Sequence, residues 1–151
     1  MKKYVIVDID GTIAKVGDRL KYLQQVPKDY ESFYNHCGED ECIADIKHLV
    51  NILYDNDYSI VFCTGRKSYC KGQTITWLQN NFDHISCFTP LVILMRDSND
   101  NRHDTKVKPE LLAKKGIVPE NTFLILEDRT SMCKKWRELG FRCLQVDNGD
   151  Y

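Results

Sequence analysis

Short β-branched apolar runs alternate with stretches of helical periodicity along the chain, and this alternation restricts the fold more than any other feature. Residues 4–9 form an apolar run, broken only by Asp8, that ends at Asp10-Gly11, as a buried strand does. Residues 58–63, 91–95, 122–126 and 142–146 repeat the pattern. Between them, Ile43, Ile46, Leu49, Val50 and Leu53 keep a helical spacing, and helices are predicted over residues 73–82, 109–115 and 132–139. The last two close on Gly116 and Gly140, a common helix stop. The segment after the first run is polar, with a short helix predicted near residues 30–37. Strands alternating with helices give an α/β layer fold with a mainly parallel sheet.

The 151 residues suit one domain spanning 1–151, with residues 12–41 as a small insert. A net charge of −1 excludes a protein that coats duplex nucleic acid through a strong positive excess, so any nucleic-acid contact should be small and local. No apolar run is long enough to span a bilayer, and the N-terminus opens directly into a strand, which points to a cytosolic location. The 7 cysteines are odd in number and none is paired at C-x-x-C spacing, so they are expected as reduced thiols.

Crossovers in such a sheet are right-handed, so the C-terminal strand ends share one side, where ligands bind near the switch in strand order. The first run leads into Asp8, Asp10, Gly11 and Thr12, the second into Thr64, Gly65 and Arg66, the third into Arg96 and Asp97, and the fourth into Glu127, Asp128 and Arg129. Loops after strands are often polar for solvation alone, but these residue types are selective. Asp8, Asp10, Glu127 and Asp128 would crowd together on neighbouring strands, and crowded carboxylates call for a hard cation, with magnesium suited to an all-oxygen site. An aspartate can attack a phosphoryl group and form an aspartyl-phosphate, which water then hydrolyses. A second group must protonate the leaving oxygen and later activate water. Asp8 as nucleophile and Asp10 as acid/base divide that work, because two residues apart in extended chain they point the same way. Gly11 lets the chain turn beside Thr12 and aim backbone N–H groups at a phosphate. The Thr64 hydroxyl and the Gly65 N–H would address the same phosphate. A lysine should offset the developing charge, with Lys106 and Lys108 as candidates.

Asp8-x-Asp10-Gly11-Thr12, then Thr64-Gly65, a lysine and Glu127-Asp128 resemble the four motifs of the haloacid dehalogenase superfamily of aspartate-nucleophile phosphatases, in order and over nearly the whole chain. The resemblance implies a Rossmann-like three-layer sandwich with a minimal cap insert and a fairly open site. More closely, Ala14-Lys15, Arg19, Thr64-Gly65-Arg66, Arg96, Asp100, Arg102, Asp104, Val107-Lys108, Asp128-Arg129, Trp136-Arg137, Gly140, Gln145-Val146 and Gly149-Asp150 fall in a pattern similar to the 3′-phosphatase domains of T-even bacteriophage polynucleotide kinase-phosphatases. That implies Lys108 over Lys106 as the catalytic cation. It implies that Arg19 and Arg66 hold the phosphate or the adjacent nucleotide, and that Asp104 orients Lys108 or a basic neighbour. Glu127 stands where that family has an aspartate, so whether Glu127 or Asp128 meets the metal directly is left open. The chain has no G-x-x-x-x-G-K-[ST] loop, so it should carry no kinase activity, and a separate kinase or ligase is the partner to look for.

The expected function is removal of a 3′-phosphate, or a 2′,3′-cyclic phosphate, from RNA or DNA ends in nucleic-acid repair, in the host cytoplasm if the source is viral. Two competing readings are a mononucleotide or other small-molecule phosphatase and a catalytically inert binding module; intact Asp8, Asp10 and Lys108 speak against the second. Arg129, Arg137 and Arg142 read as solvated charges, while Arg96 and Arg102 are balanced between surface and site. His36, His48, His84 and His103 show no ligand spacing, and Trp77 and Trp136 belong in the core.

Overall fold

The computed structural model describes residues 1–149. In chain order it contains β1 (Tyr4–Val7), β2 (Ala14–Lys15), α1 (Lys21–Gln24), α2 (Tyr30–Asn35), β3 (Glu41–Cys42), α3 (Ala44–Asp55) and β4 (Ser59–Lys67). Next come α4 (Lys71–Asn81), α5 (Asp83–Ser86), β5 (Val92–Arg96), α6 (Asp104–Lys114), β6 (Thr122–Glu127), α7 (Thr130–Glu138) and β7 (Cys143–Gln145). The main sheet has the order β5-β4-β1-β6-β7, and every neighbouring pair is parallel.

β1 sits in the middle, and its side chains alternate between two cores as a pleated strand requires. Val5 and Val7 pack with Ile9, Val50, Trp77 and Phe82 on the α3–α4 side. Ile6 packs with Val61, Leu112, Ile125 and Trp136 on the α6–α7 side. Both faces of the sheet are thus covered, which is why its strands read as unbroken apolar runs. Trp77 and Trp136 are core residues, as expected. All 7 cysteines are free, and five are buried as small apolar groups. No helix among the described residues is long and apolar enough to cross a membrane.

The chain builds outward from β1 through β4 to β5, then returns to place β6 on the opposite side of β1. The carboxyl ends of β1 and β6 therefore meet at the switch in strand order. Asp8 follows β1 directly, its N–H still donating to the Leu126 carbonyl at 3.0 Å, and Glu127 ends β6.

Two boundaries differ from the sequence reading in ways that shape the site. β4 runs on to Lys67, and its pairing with β5 shifts register between Thr64 and Lys67, so Thr64-Gly65-Arg66 form an irregular strand end and not a loop. α6 begins at Asp104, five residues before the expected start, with Pro109 inside it. A proline usually opens a helix, which suggested the later start. Here the His103 ring accepts from the Thr105 N–H at 3.3 Å and caps the helix earlier. Asp104 and Lys108 consequently lie one turn apart on the same face.

The insert is closed at its base by the antiparallel pairs Ala14–Cys42 and Lys15–Glu41. Asp29 caps α2 by accepting from the Ser32 N–H at 3.0 Å. The insert folds beside the sheet end and walls one side of the crevice there. Asp150, the last residue of the matched sequence pattern, lies outside the described residues.

Candidate active site

Asp8, Lys108 and Glu127 form a buried chain of charge. Lys108 Nζ donates to Asp8 Oδ1 at 2.7 Å and to Glu127 Oε2 at 2.9 Å, and its side chain is 3% exposed. Lys106 makes no such contact, so geometry separates the two candidate lysines. Burial alone would lower the Lys108 ammonium, but Asp8, Glu127 and Asp104 hold it well above its usual range. Burial pushes the Asp8 carboxyl well up, with Glu127 adding to the effect and Lys108 opposing it. Burial also acts on Glu127, but the Lys108 charge and hydrogen bond override it and keep that carboxylate below its usual range.

Asp128 completes the group. Asp8, Glu127 and Asp128 each offer a ligand oxygen within 4.8 Å of the others. Thr12 Oγ1 donates to Asp128 Oδ1 at 3.1 Å, with Asp8 Oδ2 at 3.5 Å. Asp128 Oδ2 is buried and has no hydrogen-bond partner among the described residues. Burial and the Glu127 charge push the Asp128 carboxyl up to about 6. Glu127 differs in that both its oxygens are engaged, Oε2 by Lys108 and Oε1 by the Asp128 and Arg129 N–H groups at 3.2 and 3.4 Å.

Gly11, at φ +81°, and Gly149 both press against Asp128; a Cβ on either would overlap its carboxylate. The Gly149 N–H also donates to the Asp128 carbonyl at 3.1 Å. Gly149, part of the matched family pattern, thus packs directly against the metal-type cluster.

Asp10 is placed differently from the expectation. Its carboxylate is not part of the Asp8-Glu127-Asp128 cluster. Arg66 donates to Asp10 from Nη2 at 2.6 Å and from Nε at 3.1 Å, and Arg19 donates from Nη2 at 2.5 Å. Burial would raise Asp10, but the two guanidiniums hold it well below the usual carboxylate range. Arg19 and Arg66 are themselves almost fully buried, and neither lines the pocket that holds Asp8. Their guanidinium donors go to Asp10 and Asp40. Asp40, unmarked in the sequence reading, accepts from Arg19 Nε and Nη2 at 2.8 and 2.6 Å and lies 3.4 Å from Arg66 Nη2. Thr74 accepts from Arg66 Nη1 at 3.1 Å.

Thr64 and Gly65 do line the pocket, and the Thr64 hydroxyl accepts from the Arg66 N–H at 3.2 Å. Asp104 lies directly over Gly65. Arg96 bonds Asp104 and donates to the Gly65 carbonyl at 3.0 Å, which fixes α6 against the end of β4. Burial would raise Asp104, but Lys108, Arg129 and Arg96 lower it. Arg129 is not a purely solvated charge: it lines the pocket and has Asp104 at 3.4 Å. Arg102 is a half-exposed residue paired with Asp100 and Glu110. The pocket encloses about 190 Å³, and the insert contributes Leu23, Lys28, Tyr30, Phe33 and Tyr34 to its wall.

Three buried carboxylates face one ammonium in this cluster, and a divalent cation would balance the remainder. A buried carboxylate oxygen without a donor, as on Asp128, is costly unless a cation meets it. The donor set is all oxygen, and the residues present fit a magnesium-type ion.

Fold and site together define a haloacid dehalogenase-like phosphatase. A family member from Bacteroides thetaiotaomicron, solved with magnesium and inorganic phosphate, shares the fold at a TM-score of 0.61, with 12% identity and coverage of 100% of this chain and 97% of that one. The sequence matches the polynucleotide kinase PNKP phosphatase domain over residues 2–151, and the chain belongs to that family. A structure of the Pnkp1/Rnl/Hen1 RNA repair complex is similar at a TM-score of 0.81 and 26% identity, over 100% of this chain and 44% of that chain. A protein of Autographa californica nuclear polyhedrosis virus, described as a bifunctional polynucleotide kinase/RNA ligase, is 29% identical over 136 residues, which are 89% of this chain and 18% of the viral protein. The chain thus spans less than half the length of these two relatives.

Proposed function

We propose that this chain is a magnesium-dependent phosphomonoesterase that removes 3′-phosphates from RNA or DNA ends through an aspartyl-phosphate at Asp8, a 2′,3′-cyclic phosphate becoming a substrate once its ring has been opened to the monoester. The observation that carries the reading is Asp8 itself. One of its oxygens is neutralised by Lys108, the other lies beside Thr12, and it opens onto a pocket at the sheet's switch point. Family membership supports a phosphatase, and the RNA repair complex and the viral kinase/ligase support nucleic-acid ends as substrate.

Asp8, Asp128 and Glu127 are the residues that would hold magnesium, and the ion would neutralise charge on the transferred phosphoryl group. Asp128 is the better direct ligand, since both Glu127 oxygens already have partners. Lys108 opposes the burial that disfavours the Asp8 carboxylate, a bound cation would complete its ionisation for attack, and the ammonium stands beside the charge that develops. Thr64 and Gly65 position the phosphate. Asp10, held anionic by Arg66 and Arg19, is ready as the base that activates water on the aspartyl-phosphate. An incoming phosphate dianion offsets the two guanidiniums and raises Asp10 towards the protonated form that the leaving oxygen needs. Arg19 and Arg66 in this account position Asp10, and Asp104 orients Lys108 through their shared helix face.

A kinase and a ligase, in the same polypeptide or separate, are the partners this reading calls for. A reducing, cytosolic setting belongs to the same proposal and agrees with seven free thiols. Hydrolysis rates on a 3′-phosphorylated oligonucleotide, a 3′-mononucleotide and a 5′-mononucleotide test it. The oligonucleotide should be the best substrate; preference for the 5′-mononucleotide would establish the small-molecule alternative.

A further inference from the structure

Two tyrosines line the pocket that holds Asp8, a third packs against one of them, and the phosphoryl chemistry uses none of the three. Tyr30 and Tyr34 of α2 line the pocket that holds Asp8. Tyr69, in the turn that follows β4, meets Tyr34 edge-on with centroids 6.2 Å apart and planes at 81°. This pair joins the insert to the segment that follows β4. Tyr30 is 53% exposed and Tyr69 48%. Burial, with Asp10 and Asp104 nearby, keeps Tyr34 a neutral phenol that can donate a hydrogen bond. Lys28, exposed, lies on the same rim.

A phosphate alone has no use for flat apolar surface, but the leaving group of a 3′-phosphatase is a nucleoside. Its base is a flat ring one sugar away from the phosphorus. Bases stack on aromatic side chains with little regard to sequence, and the neighbouring phosphodiester seeks a cation.

We propose that Tyr30 and Tyr34, with Tyr69 braced against Tyr34, form a stacking platform for the terminal nucleobase, and that Lys28 receives the adjoining phosphodiester. The insert then selects a nucleic-acid end over a small phosphate ester, and does so for any terminal base. The inference rests on the proposed 3′-phosphatase activity at Asp8.

The test compares two 3′-phosphorylated oligonucleotides that differ only at the terminal residue, one carrying its base and one abasic. The wild-type chain should favour the base-bearing end by about ten- to a hundredfold in kcat/KM, mostly through KM. Tyr30→Ala with Tyr34→Leu should bring that ratio close to one, and Tyr30→Phe with Tyr34→Phe should restore it. A purely structural role would slow both substrates alike and leave the ratio intact, which overturns the inference. Equal wild-type rates on the two ends also overturn it, and that comparison needs no variant to fold. Failure of the wild type on every 3′-phosphorylated end would instead sink the proposed function, and the inference with it.

Discussion

Arg66 donates to Asp10 from Nη2 at 2.6 Å and from Nε at 3.1 Å while its own side chain has no solvent exposure. A fully buried guanidinium is tolerable only because Asp10, Asp40 and Thr74 use its donors. Arg66→Ala leaves the part-buried Asp10 and Asp40 to Arg19 alone and should destabilise the chain by about 3 kcal/mol. Arg66→Lys should recover little, since an ammonium cannot present two parallel donors. Urea denaturation measures both, and near-wild-type stability of the lysine variant would refute the two-donor requirement.

Asp8 behaves as an excess charge until a further cation arrives. Asp8→Asn should abolish turnover, by on the order of 10³-fold or more, because the nucleophile is gone. The same variant should be at least as thermally stable as the wild type in chelator, because it removes a buried carboxyl whose ionisation is disfavoured. A marked fall in Tm would contradict that.

The metal-free chain should lose stability as pH rises, opposite to the usual carboxylate effect. Asp128 has a folded value of about 6 against about 4 unfolded, so the folded state binds the extra proton between them. Asp8 is raised as well and acts in the same direction. Asp10 and Asp104 are lowered, so their contribution is present above about pH 4 and is lost only as pH falls through their folded values. Thermal melts in chelator should therefore give a lower Tm near pH 7 than near about pH 5, and magnesium should close the gap. An unchanged Tm on adding magnesium near neutral pH would argue against the cluster as its site.

Gly149→Ala tests the packing of Gly149 against Asp128. The added Cβ overlaps the carboxylate, which must move. The magnesium concentration for half-maximal activity should rise about tenfold or more, the scale seen when groups that orient a metal ligand are disturbed. An unchanged magnesium requirement would show that Asp128 tolerates displacement.

Sequence made the strands and the acidic residues legible, because buried parallel strands are apolar runs and Asp8, Asp10 and Glu127-Asp128 interrupt or follow them. What it hid came from the third dimension. Asp40 and Thr74 carry no motif, and they matter only because the insert and α4 fold up against Arg66. The open proline rule at Pro109 concealed the first turn of α6, and with it the alignment of Asp104 and Lys108. The family resemblance implied a phosphate or nucleotide role for Arg19 and Arg66 but gave no sign of the bonds that both make to Asp10 and Asp40. Arg129 read as solvated because its partner, Asp104, lies 25 positions away.

The central claim is a covalent intermediate on Asp8 during 3′ dephosphorylation. Rapid acid quench of the wild-type chain with magnesium and an RNA oligonucleotide bearing a radiolabelled 3′-phosphate, followed by peptide mapping, tests it most directly. Transient label, removable by hydroxylamine, is expected on the peptide containing Asp8, and none in Asp8→Asn. Phosphate release without label on that peptide, together with an active Asp8→Asn, would contradict it.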